Sequence, residues 1–134
     1  MESKTFGEIS RYDASGRERL GELATFLEDL PADRLTFTRW YGEGKGCAVG
    51  LAAALNPWFQ AQGLRLAQDQ TGKICWPVYG GQSDRAAVAQ FFGLSQPELR
   101  SLLDPDGYGG ALDPHPKLVA KKIRAFLAEA VAAA

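Results

Sequence analysis

The sequence predicts an α+β domain that is mainly α-helical, with about five helices and one small β-hairpin. Three observations carry that prediction. Apolar residues recur at the helical i, i+3, i+4, i+7 spacing towards both ends of the chain. Two Ser-x-x-Glu capping boxes, Ser15–Glu18 and Ser95–Glu98, stand at the heads of periodic segments. A single stretch, residues 64–78, alternates with a period of two.

In chain order, residues 1–14 are weakly patterned and read as a loose arm or an edge strand of one domain spanning 1–134. After the first capping box, Leu20, Leu23, Ala24, Phe26, Leu27 and Leu30 form one helical stripe that Pro31 ends. Leu35 to Trp40 is a short β-prone piece running into the glycine-rich loop "GEGKG". "CAVGLAAALNP" predicts a small buried helix stopped at Asn56-Pro57. Leu64 and Leu66 alternate with polar residues, then Ile74, Trp76 and Val78 do the same, around the turn "DQTG", which predicts a β-hairpin. Pro77 gives no ladder hydrogen bond and suits only an edge.

Ser83 is placed to cap a helix over 84–92 that Gly93 closes in the left-handed region. The second capping box, with Pro97 in its first turn, opens another helix whose inner face is Leu99, Leu102 and Leu103. "DPDGYGGALDPHP" is a loop dense in turn formers. A last helix starts between Pro114 and Lys117 and runs almost to Ala134. Val119, Ile123, Phe126, Leu127 and Ala130 are its stripe, and Lys117, Lys121 and Arg124 lie on the other side.

Composition bounds the function. Hydrophobic residues at 46% against charged residues at 23% describe a globular chain, and 134 residues suffice for a core without staples. Fifteen Lys and Arg face 16 Asp and Glu, so no large positive field draws in nucleic acid or an anionic membrane. Cys47, Cys75 and His115 have no familiar metal spacing, and the bland reading of the thiols is buried and reduced. The start lacks a basic-then-apolar leader, and the run "CAVGLAAAL" is too short to span a bilayer. A cytoplasmic location is expected.

Four segments are candidates for function. "RAAVAQFFGLSQPELRSLL" has helix-turn-helix spacing: Ala89 where helices touch, Gly93 at the turn, and Val88, Phe92, Leu94, Leu99 and Leu102 as the lock. Those positions glue two helices together. Reading DNA also needs outward cations, and Gln96, Glu98, Arg100 and Ser101 sum to zero charge. "GEGKGC" fails the phosphate-loop pattern, because Arg39 and Gly46 stand where glycine and Ser/Thr are required. A loop entering a helix is the simpler reading there, with an anion nest as the other. Trp40 and Tyr41 abut the glycine loop beside Arg39, the composition of a protein-binding hot spot. Asp104, Asp106 and Asp113 share a loop with His115 but lack the register of a calcium loop, and no catalytic set emerges.

The segments "FTRWYGEGKGCAVGLAAALNPWF", "GLRL", "AQFFGLSQPELRSLLDP" and "VAKKIRAFL" together resemble a loosely defined family of short bacterial and phage-associated proteins of uncharacterised function. That family shows a C-G-T-x-x-C-x-x-G-W-A-like centre, an F-G-L-[ST]-x-x-[EQ] helix pair and an A-x-x-I-R-x-F terminal helix, and the likeness covers most of residues 20–127. Cys47, Gly50 and Ala52 match the centre, whereas Gly42 and Leu51 replace its first cysteine and its tryptophan. The resemblance implies a compact helical unit of phage or mobile-element association, a small regulator acting on a host protein, and transfers no activity.

The expected function is therefore a non-enzymatic binding module without cofactor or metal. Its partner is a protein, contacted by Arg39, Trp40, Tyr41 and Lys45. The alternatives are a DNA-binding regulator using Gln96, Glu98, Arg100, Lys117, Lys121 and Arg124, and a small-ligand or nucleotide site at the glycine loop.

Overall fold

A computed structural model describes residues 15–133. The arm or edge strand expected over 1–14 lies outside them. Six α-helices run through the described residues: α1 (Gly16–Glu28), α2 (Ala48–Leu55), α3 (Pro57–Ala61), α4 (Asp84–Phe92), α5 (Gln96–Leu103) and α6 (Pro116–Ala133). Five short strands form two small antiparallel sheets: β1 (Tyr41–Gly42) with β2 (Lys45–Gly46), and β3 (Arg65–Gln68), β4 (Cys75–Tyr79) and β5 (Gln82–Ser83) in that order. The architecture is the mainly helical α+β arrangement that the periodicities predict.

The helix starts are local chemistry. In α1 the Glu18 amide donates to Ser15 Oγ at 3.1 Å, and the Ser15 amide donates back to Glu18 Oε1 at 3.1 Å. Ser95 and Glu98 repeat this reciprocal bond at the head of α5. Gly93 closes α4 at φ 66°, a backbone that only glycine adopts without strain. Ser83 does occupy the cap position of α4, yet its side chain makes no cap bond, since Asp84 enters the helix at φ 56°.

α2 is the centre of the molecule, with Ala48 to Ala53 all buried. Around it, α1 contributes Leu20, Leu23, Ala24 and Leu27, and α6 packs along α1 with Val119, Ala120 and Ile123 inward. Phe59, Phe91 and Phe92 fill the interior, the last two edge-to-face with centroids 4.8 Å apart. Val88, Leu94, Leu99 and Leu102 join the same core, so the helix-turn-helix positions serve as the glue that their spacing implies.

Two expectations are corrected. First, Leu35–Trp40 is not a strand. Its hydrogen bonds go elsewhere: the Thr36 amide donates to Gly46 O at 2.9 Å and the Phe37 amide to Leu112 O at 2.7 Å, leaving Leu35 one isolated bridge to Gly46. Second, the hairpin gains a third strand, because Gly80 and Gly81 at φ 56° and 82° make the tight two-residue turn that returns β5 along β4. β5 pairs only with Val78 and Tyr79, so Pro77 lies beyond it at an edge, as proline requires.

The face of β4 turned to the core is set by Pro77 and Tyr79. Pro77 is buried opposite Leu66, and Tyr79 packs edge-to-face on Phe91 at 5.0 Å, which turns Trp76 and Val78 outward and leaves Ile74 63% exposed. A strand shows one parity to the core, and here Tyr79 sets it.

Candidate functional site

"GEGKG" folds as a tight hairpin rather than the open loop expected of it. Glu43 and Gly44, at φ 56° and 79°, are the two central residues between Gly42 and Lys45. Arg34 steadies the turn by donating to Gly44 O at 3.4 Å. Beneath the hairpin, Gly46 and Gly50 press against the Trp40 backbone so closely that neither has room for a Cβ. The Cys47 amide donates to Arg39 O at 3.0 Å and to Trp40 O at 3.2 Å. Trp40 is thus fixed from below by two glycines and one amide at the head of α2.

All four residues expected on the contact surface gather here. Arg39 and Lys45 are exposed, while Trp40 and Tyr41 are half-buried with part of each side chain on the core. The two aromatics are therefore anchored, which the sequence does not show. Arg39 meets Glu43 at 3.4 Å, but with side chains 46% and 89% exposed this pair holds neither group firmly.

Two clefts meet at Arg39 and Trp40. The larger, about 630 Å³, runs between the β1–β2 turn and the β3–β4 turn, with Tyr41 and Gly42 on one bank and Lys73, Ile74 and Cys75 on the other. The smaller, about 240 Å³, has Phe37 and Leu103 in its walls and Arg85 and Asp104 opposite Arg39. Arg85 Nη1 lies 2.7 Å from Asp104 Oδ2, tying the start of α4 to the end of α5. Adjoining this cleft is a small cavity of about 20 Å³ lined by Val49, Val88, Leu99 and Leu103 together with Trp40, Cys47 and Asp104. Lys45 faces a separate hollow on the far side of Arg39, shared with Asp33 and Asp113.

Both cysteines are free. Cys47 is buried, and its sulfur accepts from the Gly50 amide at 3.4 Å. Burial pushes its thiol up to about 11, so it stays protonated at neutral pH. His115 Nδ1 accepts from the Lys117 amide at 3.1 Å, the helix-entry role expected of it. Asp106 and Asp113 are exposed, and among the described residues no three of His, Cys, Asp or Glu gather to hold a metal ion. No helix of those residues is long and apolar enough to cross a membrane.

The residues of the DNA-binding alternative are scattered in role. Gln96 and Arg100 are exposed on α5, but Glu98 is engaged in the capping box. Lys117 and Lys121 are exposed on α6. Arg124 grips Glu28 with two bonds of 2.7 and 3.0 Å and Thr25 Oγ1 with a third of 3.0 Å. The neighbouring Lys122 is also occupied, donating to Ser101 O at 2.8 Å and Gly107 O at 2.6 Å.

One residue that the sequence conceals is Arg19. Only 5% exposed, its guanidinium donates to Phe91 O at 2.9 Å, Tyr79 Oη at 3.2 Å and Gln62 Oε1, and lies 4.2 Å from the centroid of the Phe91 ring. Its place in α1 predicts a solvated charge; its partners lie 43, 60 and 72 residues away, beyond any local pattern.

Compared with known proteins, the chain matches no protein-family model, no curated sequence and no solved structure.

Proposed function

We propose that this protein is a non-enzymatic cytoplasmic binding module, a small regulator of phage or mobile-element type. It works by occupying a host protein through the surface of Arg39, Trp40, Tyr41 and Lys45. The observation that carries this reading is Trp40, its backbone held against Gly46 and Gly50 and its half-buried side chain packed on the core, where two clefts meet. An aromatic fixed before binding loses little freedom on association, and Trp, Tyr and Arg are the residues that anchor protein interfaces. The exposed Ile74 adds apolar area to the far bank of the larger cleft.

The test is affinity capture of a host protein, followed by measured binding to wild type and to a variant carrying Arg39→Ala and Lys45→Ala. Both side chains are exposed, so the melting temperature holds while affinity falls by roughly tenfold or more. Unchanged affinity in that variant contradicts the reading.

A further inference from the structure

We infer that the larger groove takes an extended segment of the protein partner as an added β-strand, bonded through its main chain to Cys75 of β4 on one bank and Tyr41 of β1 on the other. This deepens the protein-binding reading and rests on it.

Ladder parity opens the first bank. In an antiparallel pair, successive residues alternate between exchanging both backbone bonds with the facing strand and turning both groups away from it. The Asp69 amide donates to Ile74 O at 3.0 Å, so those two face each other as a bonded pair. The next pair, Gln68 and Cys75, is then of the other kind. The Cys75 N–H and C=O therefore point away from β3. β5 does not meet them, since it pairs only with Val78 and Tyr79 before α4 begins. Cys75 stands on an open edge.

The same alternation opens the second bank. Gly42 and Lys45 close a two-residue turn as a bonded pair, so the neighbouring Tyr41 and Gly46 are not one. The Tyr41 N–H and C=O point away from β2. β1 packs beside β4, yet the two strands belong to separate sheets. Among the described residues no loop carbonyl takes the Tyr41 or the Cys75 amide. Both residues line the groove of about 630 Å³.

Two open edges on one groove define the occupant. What completes both is a further stretch of extended backbone, which joins the two sheets into one. A helix bonds its own backbone internally and offers nothing to these edges. Charge adds a side-chain preference. Among the charged groups of the groove, Arg39 and Glu43 face each other at 3.4 Å. Lys73 has no carboxylate in ion-pair reach among the described residues. The inserted strand therefore carries an acidic residue where it passes Lys73, and an apolar one against the exposed Ile74.

The experiment pans the full chain against random decapeptides displayed with both ends fused, then follows amide exchange by NMR with the selected peptide bound. The Tyr41 and Cys75 amides should slow by about tenfold or more. The same peptide carrying N-methyl amides through its middle keeps its side chains and loses its donors, and its affinity should fall at least about tenfold. Cys75→Pro deletes the donor facing the groove at a position of the same parity as Pro77, where no bond to β3 is lost. It should fold and bind about tenfold more weakly, while Cys75→Ala binds as wild type. Selection repeated on Lys73→Glu should exchange the acidic residue for a basic one.

A bound peptide that leaves both amides exchanging freely, or that tolerates N-methylation, overturns the inference. So does a peptide-free dimer with both amides already slow, since the occupant is then a second copy. Slow exchange that is lost on deleting residues 1–14 overturns it as well, since the chain then fills its own groove. If peptides sensitive to Arg39 bind without slowing either amide, the inference falls while the protein-binding reading survives. If the library yields no binder sensitive to Arg39, both fall.

Discussion

Gly50 lies directly under Trp40: a Cβ on residue 50 would stand 2.6 Å from the carbonyl carbon of Trp40. The obstacle is backbone, which cannot swing aside as a side chain does. The first turn of α2 and the segment carrying Trp40 thus touch through a glycine, and the placement of the tryptophan depends on that missing methyl. Gly50→Ala should destabilise the fold by about 2–4 kcal/mol in urea denaturation. Gly21→Ala is the contrasting control, because its Cβ would meet only Leu127 Cδ1 at 4.0 Å within α1. That change should stabilise by about 0.5–1 kcal/mol.

Arg19 links α1 to α4 and β4 from inside the protein. Arg19→Ala removes the donor to Phe91 O and leaves a hole beside the Phe91 ring. A loss of about 2–4 kcal/mol is expected in the same denaturation measurement. Arg19→Lys should recover little of it, since an ammonium cannot bond Phe91 O, Tyr79 Oη and Gln62 together from one planar fork.

The Glu28–Arg124 pair sets a pH dependence. The Arg124 hydrogen bond holds the Glu28 carboxyl below the usual carboxylate range. A carboxyl depressed in the folded state adds stability that is complete above its unfolded value, about 4.3, and is lost as pH falls through the folded value. Melting temperature measured against pH should therefore show Arg124→Gln below wild type at neutral pH, with the gap closing in acid. A gap that stays constant down to acid pH contradicts this.

Thiol labelling should separate the two cysteines. Cys47 is buried with a raised pKa, whereas Cys75 is half-exposed on the bank of the larger groove. The thiolate is the reactive form, so one equivalent of an aromatic disulfide reagent should react quickly in the native protein and two in denaturant. Protection of Cys75 by a captured partner would place that partner in the groove.

What the sequence makes legible here is what is decided within a few residues. The capping boxes at Ser15 and Ser95, the left-handed Gly93 and the stripes of α1 and α6 each follow from neighbours in the chain. The grouping of Arg39, Trp40, Tyr41 and Lys45 beside a glycine-rich segment was legible too, as neighbours in the chain. Their support was not, because Gly50 reads as an ordinary helix residue until Trp40 is seen above it.

Where distant contacts choose, local pattern misleads. The alternation of Ile74, Trp76 and Val78 is real, but two parities were open and Tyr79 on Phe91 decided between them. Leu35–Trp40 has strand propensity and no ladder to join, so it passes its amides to Gly46 and Leu112. The smaller cleft is likewise assembled from residues 37–40, 47, 85 and 103–104, and no single segment contains it.

The most direct test of the central claim is site-specific photocrosslinking in the native host. A photoreactive phenylalanine replaces Lys45 beside Trp40 in one protein and Lys117 on the exposed flank of α6 in another. The Arg39–Trp40 surface predicts one discrete protein adduct from position 45 and none from position 117. Adducts formed from position 117 alone, whether with protein or with nucleic acid, would contradict it.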